Sequence, residues 1–509
     1  MGRRTVWWRT ATAVGAALCA TAASAAVAVA DDKPAPYAYA GDAGTVEGAT
    51  SSTGAVRLTA GKTYRSSIEP GGKLYYRVDL GAAANAYISA TAVPPAGAAV
   101  ASSDGVRVSL QDADAHRCSY ETARFGPTRS AHPVTAWASR EIGSDEYMCQ
   151  GAGPYYVVVE RVGPPAGTGA GASTGAGTST GTGTASGSES GSPPDGSSQE
   201  WGLELGVVSE PAVTKSGSTT PPESWNSASP DSLSGDPEPR RGGSGFATAS
   251  PVTQGVWQDR TGIRAGETLF YKVPVGWGQQ LHATAELGST TDGDGYVGNA
   301  FVMSLYNPAR GFVDDRTTNY GGEQRSAALD PLPPVAYENR FSLDGEVSGM
   351  RFAGWYYLVL HLGTSVAERY GEQPVGLTLR VRLEGEAGSG PGYLGSSEPR
   401  GVFEVTGEDQ EAAESGAMGD TLDGTGSGDG GDAENSGGEG SEDSSGSGDR
   451  RLAMTAVAAG GIGTGSLLVL GLVVWTLVAR RRASADAASE RPRAGTGAPR
   501  GRHGASRGS

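Results

Sequence analysis

The sequence contains IEPGGKLYYRV at residues 68–78 and a related copy, IRAGETLFYKV, at residues 263–273. A second related pair follows in the same order, with GPYYVVV at residues 153–159 and GWYYLVL at residues 354–360. Matched segments in matched order indicate that one structural unit occurs twice in the chain. We therefore expect two domains that share one fold.

A third related pair shows that the first copy is interrupted. The pair is WGLELGV at residues 201–207 and VGLTLRV at residues 375–381, and in the second copy only a short connection precedes it. In the first copy residues 163–200 intervene, and they consist almost wholly of Gly, Ser, Thr, Ala and Pro. Because the cost of closing a loop grows only logarithmically with its length, we interpret residues 163–200 as a flexible insertion within the first domain.

The repeated segments are typical of β-strands. Residues 73–80 and 268–275 alternate roughly between apolar and polar side chains and are bounded by Gly or Pro. The second pair of segments is continuously β-branched or aromatic, as expected for strands buried on both faces. The sequence therefore predicts a mainly β protein with two jelly-roll-like β-sandwich domains, at residues 55–210 and 251–384.

The pattern PGGxLYYRV, followed after a middle strand by GxYYVVV, resembles the bacterial pre-peptidase C-terminal domain family. This resemblance covers both copies and implies secreted jelly-roll-like modules of a kind often found beside catalytic domains. No peptidase domain accompanies them here. The overall layout also resembles membrane-anchored exported proteins of high-GC actinobacteria, some of which carry von Willebrand A domains, although the Asp-x-Ser-x-Ser metal motif of that domain is absent.

The beginning of the chain is typical of an export signal. Arg3, Arg4 and Arg9 precede an Ala-rich apolar stretch, and a small-x-small cleavage site ends at Ala30. We predict a signal peptide at residues 1–30 that uses the general secretory route.

A second apolar stretch lies near the other end. Residues 452–479 carry no charge, and about 20 apolar residues suffice to span a bilayer as a helix. Three arginines follow at once, and positive charge stays on the cytoplasmic side. We predict one transmembrane helix at residues 452–479, an exterior body, and a basic cytosolic tail at residues 480–509. Because LAMTA at residues 452–456 resembles a sortase signal whose usual Gly is replaced by Ala456, covalent attachment to the wall stays open as an alternative.

The remaining segments have the composition of linkers. The chain has 81 Gly, 29 Pro and a net charge of -16, and residues 403–449 contain 14 Asp or Glu and no Lys or Arg. We predict disorder at residues 31–54, an interdomain linker at residues 211–250, and an acidic disordered stalk at residues 385–451. No folded segment is strongly basic, so nucleic-acid binding is disfavoured.

The candidates for chemistry are few. Cys118 and Cys149 are the only cysteines left after signal removal, and in an exported chain such a pair favours a disulfide over a redox or metal site. Two Gly-x-Ser-x-Gly matches, at residues 171–175 and 177–181, lack the strand and helix that a nucleophile elbow requires. The sequence predicts neither a catalytic site nor a cofactor.

Two kinds of binding site are weakly indicated. Asp292 and Asp294, in DGDG, resemble the start of a calcium loop, but the next ligand positions fail and a hairpin turn explains the motif equally well. Trp277 and Trp257 lie near turn signals, where they either stack on a ligand or pack against the core.

These features predict a single-pass envelope protein that acts as a non-enzymatic binding or assembly module. The expected partners are the membrane, and outside it another exported protein or a cell-wall polymer. An accessory subunit of an exported hydrolase and an unrecognised enzyme are the alternatives. The sequence leaves open the ligand, the oligomeric state, glycosylation of the Ser/Thr-rich insertion and the role of the basic tail.

Overall fold

The computed structural model describes residues 33–143, 148–163 and 199–416, except residues 216, 229, 231, 232 and 234. Twenty strands dominate this part of the chain and divide equally between two domains. In domain 1 they are β1 (Gly44–Thr45), β2 (Val56–Leu58), β3 (Thr63–Ile68), β4 (Lys73–Leu80), β5 (Asn85–Val93), β6 (Gly105–Gln111), β7 (Arg117–Arg124), β8 (Val134–Arg140), β9 (Gly153–Val162) and β10 (Trp201–Glu210). In domain 2 they are β11 (Glu238–Pro239), β12 (Ser250–Pro251), β13 (Gly255–Ile263), β14 (Thr268–Val275), β15 (Gln280–Leu287), β16 (Val297–Tyr306), β17 (Phe312–Tyr320), β18 (Arg325–Ala328), β19 (Gly354–Leu362) and β20 (Val375–Glu384).

The two domains have the same strand order. Domain 1 contains the sheets β1-β3-β10-β5-β8 and β2-β4-β9-β6-β7, and domain 2 contains β11-β13-β20-β15-β18 and β12-β14-β19-β16-β17. Adding ten to each strand number in the first domain gives the order in the second. The three related segment pairs fall on β4 and β14, β9 and β19, and β10 and β20, so the predicted repeat is confirmed.

Each domain is a β-sandwich because its two sheets share one apolar core. In domain 1, Tyr76, Val108 and Val157 from one sheet pack with Ile88 and Leu205 from the other. The corresponding core of domain 2 also draws on both sheets. The predicted mainly β class and the sandwich arrangement are therefore confirmed.

The predicted insertion lies where the chain crosses from one sheet to the other. β9 ends at Val162 in the sheet β2-β4-β9-β6-β7, and β10 begins at Trp201 between β3 and β5 in the other sheet. The central strand of that other sheet is thus the last strand of the domain.

Three segments that we predicted to lack structure are partly folded, and for their described residues that prediction is wrong. Within residues 31–54, Tyr37 packs edge-on against Phe270 of domain 2. Within the predicted linker 211–250, Phe246 is buried in the same aromatic cluster. Within the predicted stalk 385–451, Phe403 is buried in a cluster that contains Tyr87 of domain 1 and Phe352 of domain 2. The physical reason is that single aromatic side chains bury enough apolar surface to fix Gly-rich and Ser-rich backbone around them.

Helices are short. The described α-helices are α1 (Gly345–Gly349), α2 (Ala367–Tyr370) and α3 (Gly407–Ser415). α3 starts with a capping box between Thr406 and Asp409, and Asp409 also accepts a hydrogen bond of 2.9 Å from Trp355 Nε1 of β19. The segment after domain 2 is thereby fastened back onto that domain.

No helix in the described ranges has the length and apolar character needed to cross a bilayer. The predicted transmembrane helix at 452–479, the signal peptide at 1–30 and the basic tail at 480–509 all lie outside those ranges.

Candidate binding cleft between the two domains

The two domains meet on the outer face of β10. This strand alternates, so that Leu203, Leu205 and Val207 point into the core of domain 1. Glu204 and Glu210 lie on the other face, and both are completely buried. A strand ending in a buried carboxylate requires a partner elsewhere in the chain, because an unpaired buried charge is very unfavourable.

Domain 2 supplies the partner of Glu210. Arg340 donates two hydrogen bonds to its carboxylate, at 2.7 and 3.0 Å, and the hydroxyls of Tyr87 and Tyr393 donate two more at 2.8 and 2.9 Å. Asn85 Nδ2 donates a fifth, at 2.8 Å. Burial alone would raise the pKa of Glu210, but Arg340 and these hydrogen bonds outweigh it and hold the pKa below its usual value.

Glu204 is held in a similar way. Arg310, on the turn between β16 and β17, donates a hydrogen bond of 2.6 Å to Glu204 Oε1. The Tyr37 hydroxyl and the backbone N–H of Ala40 donate to the same carboxylate at 3.2 and 3.0 Å. Glu204 therefore ties three parts of the chain together: domain 1, domain 2 and the segment that precedes domain 1.

A third ion pair and a group of aromatic rings complete the interface. Arg351 Nη1 lies 2.6 Å from Glu141 Oε1. Tyr87 stacks on Trp137 with ring centroids 5.3 Å apart, and Phe352 packs edge-on against Tyr87 at 5.1 Å. Buried pairs of this kind fix geometry more than they add stability, since removing one partner leaves the other charge unpaired. Ion pairs and packed aromatic rings therefore join the two domains along this interface.

A cleft of about 1360 Å³ opens beside this interface. Its walls come from the segment before domain 1, from β3 and β4, from the loops at residues 93–96 and 131–133, and from residues 266–268 of domain 2. Residues of both domains and of the leading segment therefore contribute to the cleft.

The chemistry of the cleft is mixed. Tyr39 supplies an aromatic surface, and the Arg65 guanidinium lies over its ring at 4.3 Å from the centroid. Glu47, Glu69 and Glu200 bring carboxylates to the lining, and several prolines provide rigid apolar surface. Flat apolar surface with a few convergent polar groups is typical of sites that bind small molecules or segments of polymers.

A smaller cavity of about 440 Å³ lies at the edge of the same interface and is rich in carboxylates. Burial raises the pKa of Glu121 to about 7 and, despite the neighbouring Arg316, the pKa of Asp314 to about 6. Arg316 Nη1 lies 2.7 Å from Asp314, whereas Glu121 accepts only a hydrogen bond from the Trp137 backbone N–H at 3.0 Å.

The predicted disulfide is confirmed. Cys118 of β7 and Cys149, in the connection between β8 and β9, are bonded with a Cα–Cα distance of 5.7 Å. The same connection begins with Glu141, which pairs with Arg351 of domain 2.

The weak metal candidates do not form a cluster. Asp292 and Asp294 are exposed on the turn between β15 and β16, and no third ligand joins them among the described residues. The one group of described side chains with suitable spacing is Asp112, Asp114 and His116, on the turn between β6 and β7. His116 Nδ1 already lies 3.1 Å from Asp112 Oδ2, so the turn is satisfied internally.

The two tryptophans proposed for ligand stacking pack against the core of domain 2. Trp257 is buried, its Nε1 donates to the Thr253 carbonyl at 2.9 Å, and the Arg240 guanidinium covers its ring, so the stacking hypothesis is wrong for Trp257. Trp277 is partly buried against the same core. Sequence reasoning placed both near turns but had no signal for the cleft, whose lining includes Tyr37 and Tyr39.

A catalytic triad is not assembled in the described part of the chain. His361 is the one histidine within reach of a hydroxyl, at 3.0 Å from Thr268 Oγ1 through Nδ1. Its other ring nitrogen, Nε2, is buried without a hydrogen-bond partner, so no Asp or Glu orients the ring. The Gly-x-Ser-x-Gly matches lie outside the described residues.

The chain matches no protein-family model and no curated protein sequence. Among solved structures it is similar to the tandem CBM22 domains of Paenibacillus barcinonensis Xyn10C, with 9% identity, 63% of this chain and 85% of that chain covered, and a TM-score of 0.15. It is also similar to the CUB1-EGF-CUB2 domains of human MASP-1/3, with 8% identity, 63% and 99% coverage, and a TM-score of 0.14. The tandem CBM51 modules of a Streptococcus pneumoniae family 98 glycoside hydrolase give 8% identity, 65% and 85% coverage, and a TM-score of 0.15. Similarity at this level does not establish a shared ligand.

Proposed function

We propose that this chain is a non-enzymatic envelope protein whose exported body binds a cell-wall polymer in the cleft between its two domains. In this proposal residues 1–30 direct export, residues 452–479 anchor the body to the membrane, and residues 480–509 lie in the cytosol. The jelly-roll-like character of the domains and their likeness to pre-peptidase modules belong to the same proposal.

The observation that carries the proposal is the construction of the cleft. Both domains and the leading segment contribute to it, and buried ion pairs at Glu204 and Glu210 hold them in one arrangement. A preformed site binds with less loss of conformational freedom than one that must be assembled on binding. Rigid construction of a shared cleft supports recognition of an extended partner.

The lining favours a partner rich in hydroxyl groups. Glu47, Glu69 and Glu200 accept hydrogen bonds, and Arg65 donates them, which matches groups that do both. The Arg65 guanidinium covers one face of the Tyr39 ring, so the pair offers a sugar both planar surface and hydrogen-bond donors. A wall glycan fits these features better than a strongly charged polymer, since the lining carries charges of both signs.

Co-sedimentation with insoluble wall material stripped of protein tests the proposal. The full chain is compared with a Tyr39→Ala, Arg65→Ala double variant, and Tyr296→Ala is the matched control because Tyr296 is 65% exposed and lies outside the cleft. We expect apparent affinity to fall at least about tenfold in the double variant, equivalent to about 1.4 kcal/mol, and to stay unchanged in the control.

Two outcomes contradict the proposal. Equal sedimentation of the wild type and the double variant would exclude the cleft as the binding site. Failure of the wild type to sediment, with near-stoichiometric crosslinking to one exported protein in intact cells, would replace the polymer by a protein partner.

A further inference from the structure

A pair of stacked histidines joins the two domains beside the cleft. His132 lies on the segment of domain 1 that enters β8, and His361 lies in β19 of domain 2. Their ring centroids are 4.4 Å apart and the ring planes differ by 22°. His361 is completely buried, and Phe125 packs edge-on against His132. The interface therefore contains two titratable rings in direct contact.

The hydrogen bonds define the protonation state of both rings. His361 Nδ1 lies 3.0 Å from the carbonyl oxygen of Glu267, and His132 Nδ1 lies 2.7 Å from the carbonyl oxygen of Ser130. Because a carbonyl only accepts, these contacts favour a proton on each Nδ1 of the neutral rings, with the Thr268 hydroxyl, 3.0 Å from His361 Nδ1, as a second acceptor. His361 Nε2 is buried and has no hydrogen-bond partner in the described ranges. A proton added there would have no acceptor.

The carboxylate of Glu267 is engaged away from the stack. The Glu267 carboxylate accepts from Arg241 Nη2 and from the Arg264 backbone N–H, so only its carbonyl faces His361. Arg129 and Glu368 are exposed and line a separate cavity of about 710 Å³ that neither histidine lines. Within the described ranges, no acidic side chain is hydrogen-bonded to either imidazole.

Protonation of this pair is therefore unfavourable in the closed arrangement. Burial lowers the pKa of His132 to about 4, and burial together with the neighbouring His132 holds the pKa of His361 well below its usual value. If both rings were protonated, two like charges would face each other at stacking distance.

We propose that the His132–His361 stack is an acid-sensitive joint, in which protonation of either ring separates the two domains at this point. The hydrogen bond of 3.1 Å from the Thr364 backbone N–H to Ser130 Oγ crosses the interface beside the stack and opens with it. His132 also lines the cleft, so separation alters the cleft wall.

The direction of the effect follows from linkage. A histidine whose pKa is lowered on folding makes the closed state less stable as pH falls below its ordinary value of 6.5 towards its folded value. For His132 alone, the equilibrium for closing the joint is expected to fall roughly 20-fold between pH 7 and pH 5.

Hydrogen exchange of the full chain, followed by mass spectrometry at pH 7 and pH 5 and corrected for intrinsic exchange rates, tests this joint. We expect protection of the peptides that cover residues 126–133 and 358–366 to fall about 20-fold in the wild type. In a His132→Asn, His361→Asn variant the amide N–H still donates to the two carbonyls but does not titrate, so the loss should disappear. His116→Asn, on an exposed turn, is the matched control and should keep it.

An equal loss of protection in the double-Asn variant, or no loss in the wild type, would overturn the proposal. If the double variant does not fold, NMR titration of isotope-labelled histidines in the wild type decides the question. Rings that all titrate near 6.5 would exclude the joint, and two rings that stay neutral at pH 5 would support it. Neither measurement depends on whether the cleft binds a wall polymer.

Discussion

β10 and β20 are the last strands of two domains with one topology, yet they have different surroundings. Both place alternate apolar residues in their own core. The outward face of β10 carries Glu204 and Glu210, which are buried by domain 2. The outward face of β20 carries Arg380, Arg382 and Glu384, which stay partly exposed. One fold therefore produces an interface strand in one copy and a surface strand in the other.

The two domains also differ in the connection that follows the eighth strand. In domain 1 the described residues of this connection, 141–143 and 148–152, include Cys149, which is bonded to Cys118 of β7. In domain 2 residues 329–353 form a longer connection that contains α1 and carries both Arg340 and Arg351. The comparison shows that the repeats diverged by placing opposite charges on opposite sides of one contact, while the strand order stayed the same.

The largest expected effect comes from Glu210. Replacing Glu210 by Ala leaves Arg340 buried and unpaired, and we expect a loss of about 3–5 kcal/mol in the free energy of unfolding, measured by chemical denaturation. Glu384→Ala is the matched control at the end of β20, where exposure limits the loss to less than about 1 kcal/mol. Similar losses in both variants would show that β10 and β20 are equivalent.

The disulfide gives the next largest effect. Cys118→Ser together with Cys149→Ser opens a link across a sequence separation of 31 residues. The chain-entropy model predicts a loss of about 3–4 kcal/mol in the free energy of unfolding. The wild type under reducing conditions should match the variant, because no other cysteine lies in the described ranges. A loss below about 1 kcal/mol would mean that domain 1 is stable without the disulfide, as domain 2 is.

Glu121 is the counterpart of Glu210, because Glu121 is enclosed without the hydrogen-bonded cation that Arg340 supplies to Glu210. Burial raises the pKa of Glu121 to about 7. The contribution of Glu121 to the free energy of unfolding is therefore fully present below pH 4.5 and is lost as the pH rises through 7. We expect Glu121→Gln to increase the free energy of unfolding by about 2–3 kcal/mol at pH 8 and to leave it unchanged near pH 4. Denaturation curves at the two pH values check this. A gain of equal size at both would exclude titration as the cause.

The smallest effect concerns the longer connection of domain 2. Asp344 caps α1, with its carboxylate accepting hydrogen bonds from the backbone N–H groups of Glu346 and Val347. Asp344→Ala should cost about 1 kcal/mol in the free energy of unfolding, whereas Asp344→Asn should cost little because Asn also caps helices. Equal losses in the two variants would point to charge instead of capping.

Much of the fold could be predicted from the sequence because strand signals are local. Apolar alternation and paired aromatics located β4, β9 and β10 together with their equivalents, and the repeat placed the insertion within domain 1. The folded parts of residues 31–54, 211–250 and 385–451 were missed. Their order depends on isolated aromatics such as Tyr37 and Phe403, whose contacts are far away in sequence.

The cleft could not be predicted, since it exists only after the domains pack. Its lining comes from separate parts of the chain between Pro34 and Thr268, and the repeated segment at residues 68–78, which supplies Glu69 and Lys73, carries no signal for a cleft. One signal was available. In WGLELGVVSE at residues 201–210 two glutamates interrupt an otherwise apolar strand, which indicates buried charges that need partners. Nothing in the local sequence identifies Arg310 and Arg340 as those partners.

The position of β10 also constrains the order in which domain 1 folds. β10 pairs with β3 on one side and β5 on the other, but it is made after all the other strands of the domain and after the insertion. Until then β3 and β5 present unpaired edges, which are prone to pairing with other chains. Even after β10 is in place, Glu210 stays without its cation until residue 340 of domain 2 has been made. Termination before β10 would leave those two edges unpaired, whereas termination within domain 2 before Arg340 would leave Glu210 as a carboxylate without its cation.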